Sequence, residues 1–443
     1  MGFGLLIGLI MLRIPVAHAM IVVGGVGTAI LSGPAPLLNQ LKTLTFGQFS
    51  SYDLAVVPLF VFMGELAAIA GLSRALFRGA NAWLGRLHGG TAMAAVAACA
   101  GFGAVCGSSL ATASTMGKVA LPELRRFQYS DALSTGTLAA GGVLGILIPP
   151  SVVLILYAII VEANVVVMFA AALVPGLLAV VLFLTTIRIS VLLRPETGPP
   201  GEAPDRAEFV RATLGLVPVV AIFGLVLGGI YAGWFNPTPA ATIGVFLVGL
   251  YGALRRRLRA PALAGALKAT AATAGMIFLI LLGAELMKIF LARAGLPQAI
   301  AGWITDSALS PMAVLLLILV ALILLGCLMD SLSMILLLIP FVWPTLVEIN
   351  GGLTQAADGA GFGISTEDLK IWFGILALVV VELGLITPPV GMNVYIIASM
   401  ARDVPMIETF RGVLPFILAE LIRVALLLAF PILVLGLPRW FSG

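Results

Sequence analysis

The chain has 443 residues, of which 61% are hydrophobic and 10% charged, and its formal net charge is +4. Soluble domains carry about 25% charged residues, so this composition excludes a soluble protein and indicates an integral membrane protein with many spans. The apolar segments have the ~20-residue length of spanning helices and lack the ~10-residue alternation of an outer-membrane barrel. We therefore expect an all-α polytopic membrane protein whose basic excess lies in cytoplasmic loops and implies no nucleic-acid partner.

The apolar segments predict an order of elements along the chain. Residues 1–20 are interpreted as the first spanning region, with a short helix over 1–11, because they lack the basic start of a signal peptide. Segments 91–127 and 311–347 each hold two apolar arms around a small or polar centre, and each could be two spans or a re-entrant hairpin. The other predicted helices cover 15–35, 55–80, 130–160, 166–193, 209–232, 237–254, 263–293, 370–400 and 412–437.

Two parts of the chain repeat the same motifs in the same order. GSSL followed by LPEL returns as MDSLSM followed by WPTL, and the spacing from Ser109 to Pro122 equals that from Ser331 to Pro344. LGILIPPSVVLILYA then matches LGLITPPVGMNVYIIA. Because such self-similarity indicates a structural repeat, we predict two repeats, each with a hairpin and a broken helix.

The basic residues indicate how the two repeats are oriented. The run from Arg255 to Arg259 should be cytoplasmic. If 91–127 and 311–347 are hairpins, counting spans from this run places most of the 24 Lys and Arg residues on the same side. An odd number of crossings then separates the repeats, so they are inverted, as in many secondary transporters. Hairpin 91–127 is then cytoplasmic, and hairpin 311–347 lies on the outer side.

These elements divide the chain into scaffold segments and repeats. The start of 194–262 is polar and rich in Pro and Gly, which is typical of a linker. The predicted parts are N-terminal scaffold helices over 1–50, repeat 1 over 51–193 with hairpin 91–127 and broken helix 130–160, a cytoplasmic linker with scaffold helices over 194–262, and repeat 2 over 263–443 with hairpin 311–347 and broken helix 370–400.

The helix breaks are where we expect a binding site, because irregular backbone at membrane depth survives only when buried in protein or lining a cavity. The Pro-Pro pairs cannot donate backbone hydrogen bonds, so nearby carbonyls lose their partners. Those carbonyls, with Ser, Thr and Asn oxygens, suit a small hard cation such as sodium. Opened helix N-termini suit a substrate carboxylate. One pair of motifs in each repeat predicts at least two cation sites.

Plainer explanations exist for the same residues. Ser and Thr in membrane helices often only bond to a carbonyl or allow close packing, and a proline can simply kink a helix. Asp330 could bind a cation, accept a hydrogen bond from substrate or carry a proton, or it could only cap a hairpin helix. Glu65 and Glu285 are expected to be structural, and Glu382 could orient the adjacent Pro-Pro motif.

Several of these motifs together resemble one known family over almost the whole chain: the large membrane subunit of tripartite ATP-independent periplasmic (TRAP) transporters. In NPTPA (236–240), Pro239 stands where family members commonly carry an acidic residue, a difference at an outer turn that should leave coupling intact. The segments that carry the resemblance are PLFVFMGELAAIAGLSRAL, RLHGGTAM, GAVCGSSLATASTMGKVALPEL, GGVLGILIPPSVVLILYA, FAAALVPGLL, LGCLMDSLSMILLLIPFVWP and ELGLITPPVGMNVYIIA.

The resemblance implies an elevator-type, sodium-coupled importer of a small organic acid in the bacterial inner membrane. It also implies two partners, a small four-helix membrane subunit and a periplasmic substrate-binding protein. The alternative is a stand-alone anion symporter or antiporter of the same ion-transporter superfamily. The substrate stays open between sialic acid, C4-dicarboxylates and other small acids. Because the chain has no HExxH, GxSxG or GxxxxGK[ST] motif, neither an enzyme nor an ATP-driven pump is favoured.

The family's motifs, carried over onto this sequence, assign a candidate site with at least two sodium ions. Which of Ser108 and Ser109 meets substrate and which meets sodium stays open. The substrate-binding candidates are Ser108, Ser109, Ser151, Asp330 and Asn393. The sodium candidates, partly through backbone carbonyls, are Ser108, Ser109, Gly145, Ile148, Ser331, Gly384, Thr387 and Pro388.

Overall fold

The structure is a computed structural model that describes residues 2–12, 14–50, 52–201, 205–295, 302 and 309–442. Within these ranges every regular element is helical. A helix satisfies its backbone hydrogen bonds within one segment, which a lipid environment requires of any chain that spans it. The all-helical architecture predicted from composition is therefore confirmed.

Nineteen helices, numbered here in chain order, form the described part of the molecule. The first half of the chain contains α1 (Gly2–Met11), α2 (Val16–Ser32), α3 (Pro34–Phe49), α4 (Val56–Ala70), α5 (Leu72–Leu84), α6 (Gly90–Cys106), α7 (Ser109–Arg126), α8 (Asp131–Leu147), α9 (Val152–Val161) and α10 (Val165–Leu193). The second half contains α11 (Arg206–Tyr231), α12 (Pro237–Leu254), α13 (Ala260–Arg293), α14 (Pro311–Gly326), α15 (Ser331–Asn350), α16 (Thr366–Gly384), α17 (Met392–Met400), α18 (Met406–Ala429) and α19 (Ile432–Ser442).

Some of the possible membrane spans consist of two helices with a bend between them. Six of the described helices are each long and apolar enough to cross a membrane, and two bent pairs bring the number to as many as eight. The pair α8–α9 bends by 44°, and the pair α4–α5 bends by 65°. The single helix predicted over 55–80 is therefore wrong. Its break falls at Gly71, whose φ of +82° is a left-handed conformation that favours glycine.

The sequence pattern also missed two other features. α3 escaped prediction because its sequence, PAPLLNQLKTLTFGQF, mixes polar and apolar residues. The helix predicted over 412–437 is interrupted between α18 and α19, where Phe430 leaves the helical conformation (φ −129°, ψ 77°) before Pro431. A residue that precedes proline is disfavoured in the helical conformation, so this proline marks the end of α18.

The helices pack in two groups. In the first, α13 contacts α2 and α4, and α12 contacts α4 and α11. In the second, both hairpins and both broken helices pack together with two further helices: α6, α7, α8, α9, α10, α14, α15, α16, α17 and α18. α5 contacts α11 in the first group and α6 in the second. It is therefore placed between the two groups.

The second halves of the broken helices cross over between the two halves of the chain. α9, from the first half, packs against α15 of the second hairpin. α17, from the second half, packs against α7 and α8. This exchange brings the helix breaks of both halves to one place.

Candidate functional site

The first hairpin breaks at the small residues GSS. α6 ends at Gly107, whose φ of +59° is left-handed, and Ser108 follows in an extended conformation with φ −142°. The Ala111 N–H donates a hydrogen bond to Ser108 Oγ at 3.4 Å, which satisfies one of the free N–H groups at the start of α7. Ser109 is the first residue of α7. A new helix N-terminus therefore opens beside both serines.

The second hairpin breaks at the corresponding place, with a carboxylate as its cap. The Ser333 N–H donates to Asp330 Oδ2 at 3.0 Å, so Asp330 caps α15. A negative charge is stabilising at a helix N-terminus. Asp330 therefore has the capping role that was one of the alternatives left open by its sequence. Ser331 is the first residue of α15, the position that Ser109 has in α7.

The two broken helices are both interrupted at a Pro-Pro pair with a cis peptide bond, Pro149–Pro150 in one half and Pro388–Pro389 in the other. Because proline has no N–H, the first proline of each pair cannot donate to the carbonyl four residues earlier. That carbonyl belongs to Gly145 in the first half and to Gly384 in the second. Neither carbonyl has its usual helical donor, and the Gly384 carbonyl accepts instead from the Thr387 N–H at 3.0 Å.

The second parts of the broken helices begin differently. Ser151 caps α9, its Oγ accepting a hydrogen bond from the Leu154 N–H at 3.3 Å. α17 begins after Gly391, which has a left-handed φ of +60° and gives no side-chain cap. The Gly391 N–H instead donates to the Cys327 carbonyl at 3.3 Å. This bond fixes the second break to the second hairpin.

Glycines allow each hairpin to cross its broken helix at close range. A Cβ on Gly103 would lie 2.5 Å from Gly145 Cα, and a Cβ on Gly384 would lie 2.6 Å from the Gly326 carbonyl carbon. Such distances to backbone atoms are too short for any side chain, so glycine is required at both crossings. The crossings hold the Gly145 and Gly384 carbonyls next to the hairpin breaks.

A cavity of about 290 Å³ lies between the hairpin breaks and the first helix group. Ser108 and Ser109 line it from the first hairpin, and Asp330 and Ser331 line it from the second. Glu65 of α4 lies on the opposite wall, although the sequence suggested a purely structural role. None of the lining residues is Lys, Arg or His. An anion held here would therefore depend on helix N-termini and hydroxyl groups.

The other predicted residues are not among those that line the cavity. Asn393 Nδ2 donates to the Ala139 carbonyl at 3.3 Å, and Thr387 Oγ1 donates to the Leu383 carbonyl at 2.7 Å. Ser151 is completely buried. The remaining candidates belong to the breaks and are not among the lining residues: Gly145, Ile148, Gly384 and Pro388.

One carboxylate, that of Glu382 in α16, joins the two hairpins. Glu382 is completely buried; the Ser109 hydroxyl donates to one of its oxygens, and the Ser331 hydroxyl donates to the other. Sequence reasoning did not include Glu382 in the candidate site, because no local pattern connects it with either serine. The available signal was a charged residue within the apolar run LALVVVELGL, which marks a functional candidate in a membrane segment.

A buried ion pair lies nearby in α18. Arg423 Nη2 donates to Glu420, and Arg423 Nη1 donates to the Pro175 carbonyl of α10 at 3.3 Å. Among the residues that the structure describes, Glu382, Glu420 and Arg423 are the charged side chains that are buried. All three come from the second half of the chain.

The oxygen atoms at the breaks fit sodium better than a transition metal. Hydroxyl and unwound backbone carbonyl oxygens are the ligands that bind coupling ions in transporters with discontinuous helices. Over the described ranges, no group of three His, Cys, Asp or Glu residues could hold a metal ion. The oxygen ligands at the breaks are of the kind that sodium takes, and sodium binding at these positions stays a prediction.

Comparison with known proteins identifies the family. Residues 3–433 match the family model described as "Tripartite ATP-independent periplasmic transporter, DctM component". The chain is 32% identical to the C4-dicarboxylate TRAP transporter large permease protein DctM of Pseudomonas aeruginosa, over 93% of this chain and 94% of that protein. It is 29% identical to the sialic acid TRAP transporter large permease protein SiaM of Vibrio cholerae, over 99% and 97% of the two chains.

A longer relative and a solved structure complete the comparison. The chain is 27% identical over its whole length to the isethionate TRAP transporter permease protein DctMQ of Oleidesulfovibrio alaskensis, and it covers 66% of that protein. Its fold is similar to the crystal structure of the Alcanivorax borkumensis YdaH transporter, with a TM-score of 0.65 and 17% identity over 90% and 89% of the chains. The chain therefore belongs to the DctM-component family of tripartite ATP-independent periplasmic transporters, and it is a multi-pass permease of the bacterial inner membrane, not an enzyme.

Proposed function

We propose that this permease imports a small organic acid together with at least two sodium ions, after a periplasmic binding protein has delivered the acid. The observation that carries the proposal is the cavity where both hairpins break, which is lined by hydroxyl groups and helix starts and by no basic side chain. The relatives described above are named for C4-dicarboxylate, sialic acid and isethionate. Their names support an organic acid and leave its identity open.

The site would bind an anion without a permanent cation. N–H groups and hydroxyls at the starts of α7 and α15 would hold the substrate carboxylate. One sodium ion would lie near Ser109 and the Gly145 carbonyl, and the other near Ser331 and the Gly384 carbonyl. Because the sodium charge replaces a Lys or Arg side chain, the substrate is held only when sodium is present. This dependence is the physical basis of coupling.

An elevator movement is supported by the two helix groups. The group that contains both hairpins would carry the site, and α2, α4, α12 and α13 would form the stationary scaffold. α5 follows a 65° bend and contacts both groups, so it is placed to connect them during the movement. Inverted repeats would give the moving group two alternative positions that expose the site to opposite sides.

Two partners are part of the proposal. The family is described as tripartite and periplasmic, which supports a small four-helix membrane subunit and a periplasmic binding protein beside this chain. The DctMQ relative is longer than this chain, which covers 66% of it. That extra length is the place where a small membrane subunit would be fused.

Uptake into proteoliposomes tests the proposal. The chain, with its small subunit, is reconstituted and supplied with labelled succinate, sialic acid or isethionate, with and without candidate periplasmic binding proteins. We expect uptake of one of these acids only with a sodium gradient and a binding protein. Full uptake by the chain alone would support the stand-alone symporter or antiporter instead. Uptake that is unchanged when choline replaces sodium would exclude sodium coupling.

Cysteine labelling tests the inverted topology. Lys118 and Ala356 are exposed, and the three native cysteines are buried, so the unmodified chain serves as the blank. In cells treated with an impermeant maleimide, Ala356→Cys should react from the periplasm. Lys118→Cys should react only after the membrane has been opened. The reverse pattern would contradict the predicted orientation of the hairpins.

A further inference from the structure

Glu382 differs from the other candidate residues in its position between the hairpins. The side chain lies in the last turn of α16 and is completely buried. Its two oxygens do not bond to the same hairpin: Ser109 of α7 donates to Oε2, and Ser331 of α15 donates to Oε1. A single carboxylate therefore fixes the first residues of both helices that start at the cavity.

Among the described residues this connection is found at Glu382 alone, and the repeat does not duplicate it. When LGILIPPSVV is aligned with LGLITPPVGM, the residue of α8 that corresponds to Glu382 is Val143. Val143 is also completely buried, but it offers no hydrogen-bond acceptor. The two serines are equivalent in the repeat, whereas the carboxylate that they share is not.

The burial of Glu382 makes the connection cooperative. A buried carboxylate needs its hydrogen bonds, because losing one of them leaves an uncompensated polar group away from water. If one hairpin start moved away, Glu382 would keep only one of its two hydroxyl partners. Moving the starts of α7 and α15 together therefore costs less free energy than moving one of them alone. A change at one cation site is thereby transmitted to the other.

We propose that Glu382 is a positioning residue that joins the two hairpin starts into one unit, so that the two sodium ions bind cooperatively. The inference deepens the proposed function and depends on it for the sodium ions, while the connection between the hairpins stands on the contacts alone. Glu382 acts through Ser109 and Ser331 and does not line the cavity itself.

The native cysteines provide a direct test of the connection. Cys106 is the last residue of α6, next to the first break, and Cys327 follows α14 at the second break; both are buried and unpaired. Cys99 lies deeper in α6 and is completely buried, so it reports general unfolding. The rate at which each thiol reacts with N-ethylmaleimide in the purified full chain is measured by mass spectrometry.

We expect Glu382→Ala to speed the modification of both Cys106 and Cys327 by about tenfold, since hairpin opening is a local unfolding event, with Cys99 unchanged. Glu382→Gln should change both rates by less than about threefold, because an amide can accept from one hydroxyl and donate to the other. Unchanged rates in Glu382→Ala, or a change at only one of the two break cysteines, would overturn the inference. If Cys99 also reacts in Glu382→Ala, the comparison is made with Ser331→Ala, which should affect both break cysteines in the same way.

The sodium dependence of uptake tests the cooperative part. With at least two ions, the unmodified protein should show a Hill coefficient approaching about 2. Glu382→Ala should lower this coefficient toward about 1 and raise the half-saturating sodium concentration, whereas Glu382→Gln should remain near the unmodified protein. An unchanged coefficient in Glu382→Ala, or equal loss in Glu382→Gln, would overturn the inference. If the unmodified protein shows no sodium dependence, the proposed function fails, and the thiol rates still decide whether Glu382 joins the hairpins.

Discussion

The two halves of the molecule place the same backbone break in different surroundings. In the first half, α8 and α9 meet at a Pro-Pro pair beside Val143, and the break ends in a serine cap. In the second half, α16 and α17 meet at a Pro-Pro pair beside Glu382, and the break ends at a glycine without a cap. When Pro175 of α10 is aligned with Pro415 of α18, Val180 and Phe183 stand at the positions that Glu420 and Arg423 occupy.

This difference shows which features form a helix break and which have another function. Proline pairs and close glycine crossings occur in both halves, so they are sufficient to interrupt a helix. The buried charges occur only in the second half of the described chain. They are therefore not needed to form a break, and one of them, Glu382, contacts the starts of both hairpin helices instead.

The largest expected effect comes from removing one buried charge of the second half. Arg423→Met leaves Glu420 buried without its partner, which should cost about 3–5 kcal/mol of stability. The double variant Glu420→Val with Arg423→Phe copies the first half, removes both charges and should be far less damaging. The apparent melting temperature of the purified protein measures both. A double variant as unstable as Arg423→Met would show that the pair itself is required.

The next largest effect should be equal in both halves, because the glycine crossings are shared. Gly103→Ala and Gly384→Ala each force a methyl group against backbone, and such overpacking typically costs about 1–3 kcal/mol. Both should lower the melting temperature and reduce uptake strongly. Gly275→Ala is the control, since nothing lies within 4 Å of its Cβ. Tolerance of alanine at only one crossing would show that the halves are not equally tight.

A smaller effect distinguishes the caps of the two hairpins. Ser108→Ala and Asp330→Ala each remove a helix cap, which costs about 1 kcal/mol, and each should abolish sodium-dependent uptake. Asp330→Asn keeps a capping oxygen, so it should retain stability while losing uptake. Ser130→Ala is the matched control, because Ser130 caps α8 outside the cavity lining. Normal uptake by Asp330→Asn would show that Asp330 is only a cap.

The smallest effect concerns an exposed pair that also connects the two halves. Arg125 of α7 donates to Asp403 after α17 at 2.8 Å, and this hydrogen bond lowers the pKa of Asp403 from its ordinary value. Any contribution of this pair to the stability of the folded protein is complete when the pH is above the ordinary pKa of aspartate. It is lost only as the pH falls through the lowered pKa of Asp403. Exposed ion pairs contribute little, so Arg125→Ala should leave the melting temperature unchanged between pH 6 and pH 8 to within measurement error. A marked loss of stability in that range would show that this pair, like Glu382, holds the halves together.

Much of the site was predictable because its causes are local. A serine or aspartate before an apolar helix start predicts a cap, and both Ser108 and Asp330 are caps in the structure. Proline pairs predict a break wherever they occur, since the missing N–H does not depend on distant residues. Gly145 and Gly384 each lie four residues before the first proline of a pair, so their carbonyls lack the usual helical N–H donor.

The remaining features depend on contacts that the sequence does not encode locally. Ser109, Ser331 and Glu382 come from three separate helices, and only the packing of α7, α15 and α16 brings them together. Glu65 lies on the cavity wall because α4 faces the hairpins, which no pattern within α4 reveals. The bend at Gly71 was missed because a single glycine within a helical pattern is compatible with a continuous helix.

The crossing of α9 to α15 and of α17 to α7 has a consequence for whether either half could fold alone. A chain that ended after α10 would contain a complete break, but it would have no α15 to pack against α9 and no α17 to pack against α7 and α8. Each half therefore supplies part of the packing that the other half needs, and we expect an expressed half to remain unstable until the other half is added.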